Sequence, residues 1–129
     1  MKEYIERHYD NGTIKRYLNN KLHAEGKPAV EDYTGTNYWY TNGGLHREDG
    51  PAVEYASGTK EWWSNGKLHR DGGPAIEFVD GSTEWWINGK LQDITEFGSK
   101  PETEEELTLV EIGGVQYELR RVKSNKSSN

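Results

Sequence analysis

Residues 52–55 read Ala-Val-Glu-Tyr, small or apolar alternating with polar, which is the period-two pattern of a strand. Ala56-Ser57-Gly58-Thr59 follows as a tight turn, with Gly where a positive φ is wanted. Lys60-Glu61-Trp62-Trp63 reads as a second strand and Ser64-Asn65-Gly66-Lys67 as an Asn-Gly hairpin turn. Leu68-His69-Arg70-Asp71-Gly72-Gly73 then leads to Pro74, where the pattern starts again. It recurs without gaps at a period of 23 residues. Gly12, Gly35, Gly58 and Gly81 share one column, and Asn19, Asn42, Asn65 and Asn88 another. Leu22, Leu45, Leu68 and Leu91 align, as do Pro28-Ala29, Pro51-Ala52 and Pro74-Ala75. His23, His46 and His69 align with Gln92. Arg16-Tyr17, Trp39-Tyr40, Trp62-Trp63 and Trp85-Trp86 form an aromatic pair of columns. No helix of ordinary length fits between the turns. The expected fold is all-β: a single-layer array of stacked 23-residue β-hairpin repeats, each one leaning on its copies.

A two-residue loop at Ser57-Gly58 sets Val53 opposite Trp62, Ala52 opposite Trp63 and Glu54 opposite Glu61, and one repeat later Glu77 opposite Glu84. Like charges directly opposite are unfavourable. Folding back at Asn65-Gly66 places Arg70 beside Glu61, and by the same arithmetic Arg47 beside Tyr38. Two readings follow: an internal Glu–Arg network, or an acidic stripe that receives a partner's Arg or Lys. Adjacent aromatics on a strand point to opposite faces. Trp39, Trp62 and Trp85 therefore line one face, and Tyr17, Tyr40, Trp63 and Trp86 the other. One row makes a core, and a part-exposed row makes a contact surface.

The period fails after Asp93. The expected organisation is a repeat array over 1–93 (about 3.5 repeats), an acidic linker over 94–106, a C-terminal β-hairpin over 107–123 that caps the array or pairs with another subunit, and a flexible tail over 124–129.

Hydrophobic content of 32% and mean hydropathy of -1.04 suggest disorder when taken alone. The five Trp and eight Tyr supply the missing apolar area, so a thin aromatic core is expected. There is no Cys, which excludes disulfides and thiolate chemistry. No apolar run nears the ~20 residues of a membrane span, and the N-terminus has no apolar signal core. A cytoplasmic location is expected. The net charge is -6, although the last ten residues hold Arg120, Arg121, Lys123 and Lys126 without an acid. The acidic body argues against nucleic acid or anionic membrane as partners and suits a basic protein.

The His column sits roughly 10 Å apart from repeat to repeat, too far to share a zinc ion. Each His is expected to bond the backbone of its own turn. His69 with Asp71, or His46 with Glu48 and Asp49, recur without a nucleophile, so no catalytic group and no cofactor is assigned. The glycine pairs lie in turns without a following helix, so they form no phosphate loop. The aromatic rows are suited to stacking a flat, nucleotide-like ligand, with Arg47 and Arg70 meeting its phosphates.

Trp63-Ser64-Asn65-Gly66-Lys67-Leu68-His69, followed by Phe78-Val79-Asp80-Gly81, resembles the MORN repeat over about residues 9 to 93. Thr59 and Glu61 stand where that family has Tyr and Gly, and His46-Arg47-Glu48-Asp49-Gly50-Pro51-Ala52 replaces its His-Gly-x-Gly segment. The variant resembles repeats in proteins of bacteriophages and large DNA viruses. The resemblance implies stacked β-hairpins in an elongated, grooved sheet that serves protein–protein contacts and dimerisation. It also implies lipid binding, which suits an acidic body poorly. The expected function is a non-enzymatic module that binds a protein, with Trp39, Trp62, Trp63, Trp85, Trp86 and Tyr40 as anchors and Arg47 and Arg70 flanking. By analogy it is a viral accessory protein that blocks a host defence component in the host cytoplasm. Sequestration of a nucleotide-like ligand and self-association through Leu107–Val122 are the alternatives.

Overall fold

The computed structural model describes residues 2–96 and 107–122, and among them every regular element is a β-strand. One unit runs Val53–Glu54, Lys60–Glu61, Trp63–Ser64, Lys67–Leu68 and on to Ile76–Glu77. Its Asn-Gly turn forms as the sequence predicts. Asn65 has φ 51 and Gly66 φ 80, and Trp63 faces Leu68 while Ser64 faces Lys67. Two successive residues at positive φ give the turn whose twist matches that of the flanking strands.

The first turn is one residue longer than expected. Tyr55 N–H donates to Thr59 O at 2.9 Å, so the loop is Ala56-Ser57-Gly58. Gly58 N–H returns to Tyr55 O at 2.9 Å, and Gly58 sits at φ 105, a conformation side chains resist. The extra residue slips the register by one. Val53 faces Glu61 rather than Trp62, and Glu54 faces Lys60 rather than Glu61. Glu77 faces Lys60 on one side and Thr83, not Glu84, on the other. The like-charge pairs inferred from the sequence are therefore replaced by Glu–Lys pairs across the strands.

Twelve strands form the main sheet, which is antiparallel and open. Tyr4–His8 lies at one edge and Leu107–Ile112 at the other. Successive hairpins lie side by side along it, with Val53–Glu54 paired to Asn37–Tyr38 as well as to Lys60–Glu61. In the two middle units the chain leaves this sheet at Trp39 and Trp62. Tyr40–Thr41 with Gly44–Leu45, and Trp63–Ser64 with Lys67–Leu68, form separate two-stranded pairs. Lys90–Glu96 pairs with Thr83–Ile87 and with Val115–Arg121, which in turn pairs with Leu107–Ile112. Residues 94–96, expected in the linker, thus belong to a strand. The rest of the expected linker, 97–106, and the expected tail lie outside the described residues. Among the described residues no helix is long and apolar enough to cross a membrane.

The core differs from the aromatic one expected. Ala29, Ala52 and Ala75 are fully buried, flanked by buried Val30, Val53 and Ile76. Trp85 is the buried tryptophan; Trp39, Trp62, Trp63 and Trp86 are half-buried. Ala52 O accepts from Trp39 N–H at 2.7 Å while Ala52 N–H donates to Glu61 O at 2.8 Å. Each alanine is thus held between neighbouring chains with its methyl group fully covered, while four of the five tryptophan rings stay half-buried.

Ala52→Leu should destabilise the protein by about 1–3 kcal/mol through overpacking, whereas Ala56→Leu at the exposed turn should stay within about 0.5 kcal/mol. Urea denaturation of the two variants measures the difference; equal effects would contradict the placement of the core.

Candidate interaction surface

The segment from His46 to Ala52 has a separate task for nearly every residue. His46 Nδ1 accepts from Asn65 N–H at 3.0 Å, so it bonds the turn of the following repeat and not its own, which is the turn the sequence predicts. His23 does the same for Asn42 and His69 for Asn88, each at 3.0 Å. A main-chain N–H can only donate, so Nδ1 carries no hydrogen and Nε2 does. Nε2 then donates to the acid two residues on: Glu25 at 3.1 Å, Glu48 at 2.7 Å and Asp71 at 3.0 Å. The same turn is held a second time, since Gly66 N–H donates to Leu45 O at 2.9 Å.

Arg47 lies with its guanidinium 3.8 Å from the Trp39 ring centroid, and Arg70 lies at the same distance from Trp62. Such contacts join ring and cation by electrostatics and by shared burial. Arg47 Nη1 donates to Pro51 O at 3.0 Å and Glu54 Oε2 at 3.1 Å, and its Nε to Asp49 at 3.1 Å. Arg70 Nη1 donates to Pro74 O at 3.1 Å and Glu77 Oε2 at 3.0 Å. An internal Glu–Arg network exists, but with these glutamates; Arg70 does not pair with Glu61, because the chain turns aside at Trp62 before the two come level. Gly50 and Gly73 make room for it, since a Cβ there would stand 3.0 Å from the guanidinium carbon.

Glu61 accepts from Trp63 Nε1 at 2.8 Å and from Tyr55 Oη at 3.1 Å, and Glu84 accepts from Trp86 Nε1 at 2.9 Å. Burial, then the charge of Glu61 and the hydrogen bond to it, pushes the Tyr55 hydroxyl up to about 12.

The structure brings Arg47, Trp62, Trp63 and Arg70 into one groove of about 490 Å³. Trp39 and Arg47 line the neighbouring groove, about 570 Å³, one repeat earlier. Tyr40, Trp85 and Trp86 line neither. The rims are acidic; the sequence marks Glu48, Asp49 and Asp71 as neighbours of the aligned histidines, not as a surface, and does not single out Glu25. Side chains of Glu25, Glu48, Asp49 and Asp71 are 66%, 87%, 87% and 97% exposed. Their signal was an acid two residues after each aligned His. A threonine column was missed as well. Thr13, Thr36 and Thr59 accept at Oγ1 from Tyr33, Ala56 and Val79 N–H at 3.0–3.1 Å, which joins the three-residue turns of neighbouring units.

No protein-family model, curated protein or solved structure matches this chain.

Tyr55 should be among the last tyrosines to ionise. The raised value means that its contribution to stability is complete below pH 10 and is lost as pH climbs from 10 through about 12. The ultraviolet titration of the protein minus that of Tyr55→Phe should show a step near pH 12; a step near pH 10 would contradict the Tyr55–Glu61 contact.

Proposed function

We propose that this chain is a non-enzymatic interaction module that binds a basic segment of a protein partner across its grooved face. The observation that carries this reading is a groove that recurs with the repeat, floored by an arginine on a tryptophan and rimmed by exposed carboxylates. Repeated concave units suit an extended partner better than a single small substrate. In this reading the units form a stack of 23-residue repeats of the MORN type closed by the C-terminal hairpin. The resemblance of His46–Ala52 to viral variants of that repeat supports an accessory role in which the module occupies and blocks a host protein in the host cytoplasm.

The contacts assign roles to the residues. Trp39, Trp62, Arg47 and Arg70 form a rigid floor, because the arginines already donate to Pro51, Pro74, Glu54 and Glu77. For the same reason these arginines are poorly placed to bind the phosphates of a nucleotide-like ligand. Self-association has an observation in its favour, since the edge strand Leu107–Ile112 exposes Leu109 and Ile112 at 47% and 42%. A flat apolar edge invites another strand.

Affinity capture from bacterial lysate should retain one protein in defined stoichiometry. The triple variant Glu48→Lys/Asp49→Lys/Asp71→Lys should weaken that complex at least tenfold with little change in thermal stability, because these side chains are exposed. A complex indifferent to both the variant and to salt would overturn the reading.

A further inference from the structure

Around the arginine cradle the first repeat departs from the next two at three columns. Arg16 stands where Trp39 and Trp62 stand, Ala24 where Arg47 and Arg70 stand, and Lys27 where Gly50 and Gly73 stand. The three departures are coupled by space. Glycine is needed beside the guanidinium of Arg47 or Arg70; with Ala24 in the arginine's place, Lys27 has room for its Cβ. The cradle for the guanidinium is still filled, but from the other column. Arg16 Nη1 donates to Pro28 O at 2.8 Å and Glu31 Oε2 at 2.6 Å, the counterparts of the Pro51 and Glu54 contacts of Arg47.

What this repeat lacks is the ring beneath the cation. A cavity of about 370 Å³ opens here, lined by Tyr4, Ile5, Tyr17 and Ala24 around Arg16. Its size falls at the lower end of ligand pockets, roughly 300–1,000 Å³. The Arg16 side chain is 13% exposed, and its Nε is buried and bonded to nothing among the described residues. Glu31 and Glu6 already balance the charge, at 2.6 and 3.4 Å, so no anion is required.

We propose that this cavity binds a neutral planar aromatic group, whose face stacks on the Arg16 guanidinium as the rings of Trp39 and Trp62 stack on their arginines. The ring belongs either to an aromatic side chain of a peptide or to a free nucleobase; the chemistry is the same. The inference does not depend on the partner surface proposed above, and its test needs no partner.

The test is a proton–nitrogen NMR titration of the full chain with N-acetyl-tryptophanamide and, separately, adenosine, with N-acetyl-cyclohexylalaninamide as the non-aromatic control. Saturable shifts are expected at the Ile5, Tyr17 and Ala24 amides and at Arg16 Nε–H with at least one aromatic probe, and at least tenfold weaker binding of the control. Response to the indole alone indicates a peptide side chain, and response to adenosine alone a nucleobase. Ala24→Leu, which fills the space, should cost at least tenfold in affinity. Arg16→Trp/Ala24→Arg/Lys27→Gly rebuilds the internal stack and should keep the circular dichroism spectrum while losing the probe. No saturable shift with either aromatic probe, equal binding of the control, or full binding by the folded triple variant would overturn the proposal.

Discussion

The rest of the structure depends on hydrogen bonds that a main-chain N–H in one turn donates to a side-chain acceptor of the preceding repeat. Two-residue strands give few ladder bonds, and an isolated hairpin is marginal in water. Each unit therefore ties itself to its neighbour at both ends. His46 Nδ1 takes the Asn65 N–H at the Asn-Gly turn, and Thr36 Oγ1 takes the Ala56 N–H at the three-residue turn. Both bonds use backbone donors that a free hairpin leaves to water.

The loop from His46 to Ala52 turns this constraint into a surface. Its histidine holds the next turn, its arginine covers a tryptophan, its glycine clears the guanidinium, and its alanine is fully buried. The carboxylates are the groups left facing outward, and so the electrostatic character of the grooved face follows from the packing beneath it.

Much of the architecture was legible because it is local. Asn-Gly at three of the four Asn positions, and Asn19-Asn20 at the first, favour positive φ, and the turns leave no room for a helix. The register was not legible. Ala56-Ser57-Gly58-Thr59 closes as either a two- or a three-residue loop by composition, and one residue of difference moves every side chain opposite its neighbour. The core was misread for a related reason. Aromatic content shows how much apolar area is available, but not that Ala29, Ala52 and Ala75 are the fully buried residues. The His column was visible, yet spacing alone does not say whether an imidazole turns to its own turn or to the following one. Arg47 and Arg70 were seen as flanking residues, and their seat on Trp39 and Trp62 depends on the break at the tryptophan, which no pattern announces. At the acidic rims, the repeating acid after each His was present in the sequence and its exposure was not.

Native-state hydrogen exchange at the amides of Asn42, Asn65 and Asn88 tests the central claim most directly. If the histidine bonds hold each turn to its neighbour, these amides exchange as slowly as those of the adjoining strands, and His46→Ala releases Asn65 while leaving the Asn42 amide protected. Fast exchange at all three in the unaltered protein, or an Asn65 amide indifferent to the loss of His46, would contradict the account.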